Sequence, residues 1–475
     1  MELITHVIDG EDVESESGAR FESLDPFTRA AYAEVALGGR TEVDRAVAAA
    51  RRAFDDGPWP RMGFAERGAL LHRLADLVVE HTDELALADT TDMGKPVTDA
   101  RTKDVPRTAL NFRFFADHAR LAAGETFPMD SGHHAYSLFQ PAGVVAAISP
   151  WNFPLMLESW KVAPALAWGN TVVLKPAEDT PKSATVLARL ALEAGLPPGV
   201  LNVVHGFGPD SAGSALTQHP GVDRITFTGE SGTGRAIGQA AAANLTPVSF
   251  ELGGKGANLV FDDADLDNAV SWSVQAIFSN AGQVCLAGSR LFVQRGIYAE
   301  FLARFVEVAS ALKVGDPKDP ATQVGPLASE EHWKKVTGYL DDVASGTGRV
   351  VAGGPAEGWF VRPTVVVDAP LDSRVVREEV FGPLVTVHPF DSEQEAVRIA
   401  NDSPYGLNAM VFTENLSRAH RVSAALRAGT VWVNCFFIRD LRAPFGGVGD
   451  SGVGREGGTF SREFFTEPKA VVMQV

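Results

Sequence analysis

Val144-Val145-Ala146-Ala147-Ile148 is an unbroken apolar run, preceded by Gly143 and stopped by Ser149-Pro150. A run this short, β-branched at its start and bounded by turn residues, predicts a strand buried on both faces. Thr171-Val172-Val173-Leu174, Leu201-Asn202-Val203-Val204 and Ile225-Thr226-Phe227 repeat the pattern, with helical stretches such as Ser183 to Ala194 between them. Strand and helix in alternation predict an α/β fold built on a doubly wound parallel sheet. Such a sheet binds its ligand at the carboxyl ends of its strands.

Working outward, a second alternating region runs from about Gly256 to Phe390, with strand candidates Leu291-Phe292-Val293 and Thr364-Val365-Val366-Val367. The first third reads as helix-rich. Thr41 is placed to cap a helix through Val43-Asp44-Arg45-Ala46-Val47, and leucines at helical spacing predict another from about Ala65 to Thr90. Pro128 to Gln140 and the tail Ala470-Val471-Val472-Met473-Gln474 are strand-like pieces outside both regions. Edge strands of this kind often pair across a subunit boundary.

The 475 residues exceed what one hydrophobic core supports, so two or three domains are expected. Asp and Glu outnumber Lys and Arg by 60 to 42, a net charge of -18, which argues against nucleic acid as a partner. An anionic substrate must then be drawn in by local cations rather than by the overall field. Two cysteines, Cys285 and Cys435, build no disulfide framework and fit a reducing compartment. The N-terminus lacks the pattern of a signal peptide, and the apolar stretch Pro141 to Leu157 is broken by Pro150, Asn152 and Pro154. A cytoplasmic protein with no membrane partner is expected, and no Cys/His cluster predicts a metal.

Several motifs carry chemistry. Thr226-Phe227-Thr228 runs into Gly229-Glu230-Ser231-Gly232-Thr233-Gly234 and then a helix, a glycine-rich turn whose free N–H groups suit a pyrophosphate. The spacing is not G-x-G-x-x-G, so a plain tight turn is the alternative, and Glu230 repels a phosphate unless it points away. Lys175-Pro176-Ala177-Glu178 follows a strand at its carboxyl end. Glu178 there can accept ribose hydroxyls and repel a 2′-phosphate; a solvated Lys–Glu pair is the alternative. Cys285 is flanked by Gly282 and Gly288, which suggest a backbone approached closely, although a lone cysteine is more often a small buried hydrophobe. Glu251, beside Gly253-Gly254, is either a general base or a strand-end residue meeting solvent. Asn152 has an amide suited to an oxyanion, or is a turn residue between prolines.

Together and in this order these stretches resemble the aldehyde dehydrogenase superfamily. The resemblance rests on Pro150-Trp151-Asn152-Phe153-Pro154, Lys175-Pro176-Ala177-Glu178, Gly195-Leu196-Pro197-Pro198-Gly199, Phe227-Thr228-Gly229 and Glu251-Leu252-Gly253-Gly254-Lys255. It continues through Gly282-Gln283-Val284-Cys285, Glu378-Glu379-Val380-Phe381-Gly382-Pro383 and Pro444-Phe445-Gly446-Gly447, nearly the whole chain. It implies Cys285 as nucleophile, Glu251 as general base and Asn152 as oxyanion donor beside the Cys285 N–H. It implies NAD as cofactor, with Lys175 and Glu178 at the adenosine ribose, Glu379 and Phe381 at the nicotinamide ribose, and Trp151 and Gly229 in the same cleft. Thiolate attack makes the carbonyl carbon tetrahedral so that hydride can leave, and Glu251 then activates water to hydrolyse the thioester. The implied subunit has three parts: an NAD domain (1–127 and 141–251), a catalytic α/β domain (252–445) and an oligomerisation element (128–140 and 446–475) serving a homodimer or homotetramer.

Phe227-Thr228-Gly229-Glu230-Ser231 departs from the serine that many members carry after the glycine. This version resembles the subgroup acting on hydroxymuconic and aminomuconic semialdehydes, as do Asp104-Val105-Pro106-Arg107 and Arg439-Asp440-Leu441-Arg442-Ala443-Pro444-Phe445. The resemblance implies a substrate tunnel lined by Arg107 and Arg439, helped by Arg442, with Phe153, Trp160 and Phe445. Arginine there forks onto a substrate carboxylate. If the arginines instead form salt bridges, a broad aliphatic or aromatic aldehyde dehydrogenase is the alternative, and a non-catalytic relative is the reading from another class.

Overall fold

In the computed structural model, which describes residues 1–474, Val144–Ile148 is a fully buried central strand. It belongs to an eight-stranded sheet in the order Gly452–Val453, Val248–Glu251, Arg224–Thr228, Val144–Ile148, Thr171–Lys175, Leu201–Val203, His6–Ile8, Glu11–Val13. The five strands from Val248–Glu251 across to Leu201–Val203 are parallel neighbours. From the central strand the chain steps through Thr171–Lys175 to Leu201–Val203, then crosses back to build Arg224–Thr228 and Val248–Glu251 on the other side. The direction of winding therefore reverses between Val144–Ile148 and Arg224–Thr228. The carboxyl ends of those two strands frame the crevice in which doubly wound sheets hold ligands.

A second sheet of seven strands covers Ala257 to Val433, with Ala257–Val260 and Arg290–Gln294 near its centre. All its pairings are parallel except that of Arg349–Pro355 with Val361–Val367. The strands read as apolar runs because helices such as Leu266–Phe278 and Tyr298–Ser310 cover the sheet. Among the described residues no helix is long and apolar enough to cross a membrane.

The first third differs from the sequence expectation. Five short strands precede the first helix, and three of them, Glu2–Ile4, Arg20–Asp25 and Ala30–Ala36, form a sheet of their own. Thr41 does not cap the first helix. The helix spans Arg40–Asp55 with Gly39 as its N-cap, and the Glu42 carboxylate accepts from the N–H groups of Gly39 and Glu16. The single helix expected over Ala65–Thr90 is two, Phe64–Glu80 and Thr82–Met93, broken at His81, where two helical φ/ψ runs fail to join.

His133–Pro141 pairs antiparallel with Thr466–Gln474 and with Thr126–Pro128, making a three-stranded sheet apart from both larger ones. Residues 446–465 do not belong to it, which corrects the 446–475 boundary. Gly452–Val453 closes the edge of the first sheet against Phe250 and Glu251, and the helix Gly458–Phe465 packs on the helix Pro154–Ala167. The C-terminal segment thus crosses beneath the site before reaching the outlying sheet.

Asn170 pins this crossing. Fully buried, it accepts from Gly143 N (2.9 Å) and donates to Ala165 O (3.0 Å) and Phe465 O (2.9 Å). Asn170→Ala leaves the buried Gly143 N–H without a partner, at about 1–3 kcal/mol before relaxation. It also removes one of two bonds from each of the Ala165 and Phe465 carbonyls, which keep the N–H groups of residue 170 and Ala142. The expected outcome is a clearly lowered urea midpoint, whereas removal of the exposed Arg295–Asp391 pair shifts it by no more than about 0.5 kcal/mol.

Candidate active site

The first sheet ends at Glu251 and the second begins at Ala257, so a five-residue link, Leu252 to Gly256, joins the two domains. Its glycines are dictated by what they touch. A Cβ on Gly253 would strike the Glu379 carboxylate, and one on Gly254 would strike the carbonyl oxygen of Cys285. The Gly254 N–H donates to Glu379 Oε1 at 2.7 Å. The link therefore sets Glu251, Cys285 and Glu379, from three separate segments, around one point.

Cys285 lies in the loop between the turn Ser279–Gly282 and the strand Arg290–Gln294. The loop is strained. Asn280 and Ala281 have φ of 52° and 53°, and Gly282, at φ 71°, runs against the backbone of Gly382 with no room for a side chain. Asn152 is buried, and its amide donates to Gln283 O at 2.9 Å while Asn280 donates back to Asn152 O at 2.8 Å. These bonds fix the Asn152 amide beside the loop that carries Cys285 and leave its second N–H for another acceptor. The close backbone approach inferred from the glycines around Cys285 is thus present.

Burial, together with the Glu251 and Glu379 carboxylates, pushes the Cys285 thiol well up, with Arg439 opposing. Burial and then Glu456 push the Glu251 carboxyl well above its ordinary range. Glu251 Oε2 is buried without a hydrogen-bond partner, and its Oε1 would lie 2.7 Å from a Cβ on Gly446. Beneath it, Lys161 Nζ bonds Thr226 Oγ1 (3.1 Å) and Glu456 Oε1 (3.2 Å), and the Trp160 indole N–H donates to Glu456. Sequence reasoning missed Lys161 and Glu456. The available signal was a lysine inside the apolar helix Pro154–Ala167, since a fully buried lysine needs a counter-charge.

At the carboxyl ends of the first sheet, Lys175 is buried, with Nζ bonded to Pro176 O (2.9 Å) and 3.5 Å from Glu178 Oε2. Gly229 leads into the helix Ser231–Ala242, whose N-cap Glu230 makes no side-chain capping bond and is exposed. Trp151 packs edge-on against Phe381 (5.4 Å) and against His332 (5.0 Å), which bonds Phe381 O at 2.8 Å. Phe381 sits at φ 58°, and burial pushes the neighbouring Glu379 carboxyl up to about 7.

Beside the loop that carries Cys285, a cavity of about 310 Å³ is lined by Arg107, Phe153, Trp160, Val284 and Arg439, with Asp99 and Asp104 also on its wall. The Arg439 guanidinium lies between the rings of Phe445 (3.7 Å) and Trp160 (4.7 Å). Its Nη2 is buried with no hydrogen-bond partner. Arg107 is 5.9 Å from the Trp160 ring, and Lys95, neutralised by Asp104, stands 3.7 Å over Phe153. Burial and the nearby Arg107 lower Arg439 to about 10. Arg442 is not part of this cavity. Its side chain is 76% exposed and held by Asp440, two residues earlier, at 2.6 Å. Among the described residues no group of three or more His, Cys, Asp or Glu is arranged to hold a metal.

The aldehyde dehydrogenase family model matches residues 13–471. Over the full length of both chains, the sequence is 50% identical to the 2-hydroxymuconic semialdehyde dehydrogenase of Pseudomonas sp. (strain CF600). It is 46% identical to the 2-aminomuconic 6-semialdehyde dehydrogenase of a Pseudomonas species, covering 100% of this chain and 99% of that one. Its fold superposes on the NAD+ complex of an aldehyde dehydrogenase from Bacillus cereus with a TM-score of 0.98, at 42% identity over 100% of this chain and 97% of the other. With a family match across nearly its whole length and relatives up to half identical over the full chain, the chain belongs to the aldehyde dehydrogenase family.

Proposed function

We propose that this chain uses NAD to oxidise a semialdehyde bearing a carboxylate at its far end, of the 2-hydroxymuconic or 2-aminomuconic type, through a thioester on Cys285. The observation that carries the substrate is the pair Arg107 and Arg439: two guanidinium groups in one cavity, neither in a salt bridge among the described residues. The broad-specificity alternative needs these arginines neutralised internally, as Arg442 is by Asp440. A buried cation without a counter-charge is costly, so the cavity favours a ligand that brings one.

The crevice fits a dinucleotide. Ser149 Oγ, buried at the end of the central strand, has no partner, and the first N–H groups of the helix Ser231–Ala242 lack internal acceptors. Lys175 and Glu178 would hold the adenosine ribose, Gly229 would leave room beside the pyrophosphate, and Trp151, Glu379 and Phe381 would line the nicotinamide end. Bound there, NAD supplies the acceptor for the aldehyde hydrogen that leaves as hydride. The residues do the remainder. The Cys285 thiol gives its proton to solvent as Sγ bonds to the aldehyde carbon, and the free N–H of Asn152 with the Cys285 N–H stabilises the oxyanion. Glu251, unpaired and with a raised pKa, takes a proton from the water that attacks the thioester, and the carboxylate product leaves as Sγ regains its proton.

Reduced Cys285 and Cys435 suit a cytoplasmic setting. The outlying three-stranded sheet exposes Phe127, Leu138, Val472 and Met473, an apolar face suited to pairing with another copy in a homodimer or homotetramer.

Glu251→Gln should give one burst of NADH and then stall, with the acyl adduct visible by intact mass, while Cys285→Ala gives no burst and no adduct. In the wild type, turnover should fall as pH drops through the raised Glu251 pKa, well above the usual carboxylate range, because the protonated acid accepts nothing. NAD should be preferred to NADP by kcat/KM, and Glu178→Ala should narrow the gap. Arg439→Ala should lower kcat/KM for a muconic-type semialdehyde about 10- to 150-fold, the loss of a charge-assisted bond, with a far smaller loss on a neutral aldehyde of the same length.

A further inference from the structure

Asn111 lies one helical turn after Arg107 on the helix Val105–Arg120. Arg107 Nε donates to Asn111 Oδ1 at 3.0 Å. The Asn111 amide nitrogen donates to Ser159 Oγ at 3.0 Å and faces Met156 O at 3.4 Å, both on the neighbouring helix Pro154–Ala167. Ser159 Oγ is itself oriented by donating to Met156 O at 2.8 Å. Asn111 and Ser159 are 1% and 0% exposed, so no water competes for these bonds.

This arrangement fixes which way the amide points. Turning it over would set its oxygen against the Met156 carbonyl and its N–H group against a guanidinium N–H, an unfavourable contact at each end. With the amide so fixed, Arg107 is held by Nε while both terminal nitrogens stay free. Arg107 makes no salt bridge among the described residues, so its charge stays uncompensated inside the molecule. An aspartate here would accept the same Nε–H but would also neutralise the cation and occupy its fork. A buried neutral acceptor orients the guanidinium without taking its charge.

We propose that Asn111 is the positioning residue that aims Arg107 at the substrate carboxylate, a specificity device built from an amide locked between two helices. The inference rests on the carboxylate reading above. Ser159 completes it by holding the amide nitrogen, so the effect passes from one helix through Asn111 to the arginine on the other.

The test compares wild type, Asn111→Ala, Asn111→Asp and Ser159→Ala on two aldehydes of equal length, one ending in a carboxylate and one in a neutral group. Asn111→Ala should lower kcat/KM for the carboxylate substrate about 3- to 10-fold, through KM rather than kcat. Asn111→Asp should lose more, because its carboxylate competes with the substrate for Arg107, and Ser159→Ala should lose less, in the same direction. On the neutral aldehyde each loss should be markedly smaller. Equal losses on both substrates, or an Asn111→Asp variant as selective as wild type, would overturn the positioning role. If Asn111→Asp fails to fold, Ser159→Ala decides: an unchanged ratio between the two substrates overturns the proposal. A wild-type enzyme with no preference for the carboxylate substrate overturns the functional reading itself, which separates the two failures.

Discussion

The link Leu252 to Gly256 must pass between a carboxylate and a carbonyl oxygen with no room for a side chain, and the rest of the site depends on that constraint. Gly253 abuts Glu379 and Gly254 abuts the Cys285 carbonyl, so two domains with separate cores meet backbone to backbone. Glu251, the last residue of the strand Val248–Glu251, is thereby fixed relative to Cys285, which precedes a strand of the other sheet. A methyl group on Gly254 would meet the backbone carbonyl of Cys285 and force the two segments apart, whereas at Gly253 it would displace the end of the flexible Glu379 side chain.

Charge is distributed around that point in two groups. On one side Glu251 and Glu379 stand near Cys285; burial and then Glu456 raise the Glu251 carboxyl well above its ordinary range, and burial raises that of Glu379 to about 7. On the other side Arg107 and Arg439 make no salt bridge among the described residues and are set over aromatic rings, with Glu251 and Glu456 acting on Arg439 only through space. In a chain with net charge -18, carboxylates were available for pairing throughout the sequence. Two carboxylates do line the cavity, Asp104 and Asp99, but they pair with Lys95 and Lys103 and leave Arg107 and Arg439 without a salt bridge among the described residues.

Much of this was legible in the sequence where the physics is local. The parallel strands read as apolar runs because each is buried on both faces, and Val144–Ile148, Thr171–Lys175 and Arg224–Thr228 lie within a residue or two of where they were expected. The five N-terminal strands were not legible. His6–Ile8, for example, pairs with Glu11–Val13 close by but joins the large sheet through Leu201–Val203, a partner almost two hundred residues away. The Lys161–Glu456 pair escaped for the same reason, since its members are 295 residues apart. Arg442 was misassigned because sequence proximity to Arg439 says nothing about direction; an aspartate two residues earlier captures it at the surface. Family resemblance brought Arg107 and Arg439 together, but only coordinates show that neither makes a salt bridge among the described residues and that Asn111 accepts a hydrogen bond from one of them.

The central claim is that the cavity beside Cys285 recognises a carboxylate through unpaired arginines. It is tested most directly by calorimetric titration of the protein with hexa-2,4-dienoate and with its neutral amide, ligands of one shape differing in charge. The account predicts that the carboxylate binds about tenfold or more tightly than the amide, as one charge-assisted bond requires, and that Arg439→Met removes the difference. Equal affinity for the two ligands in the wild-type protein would contradict it.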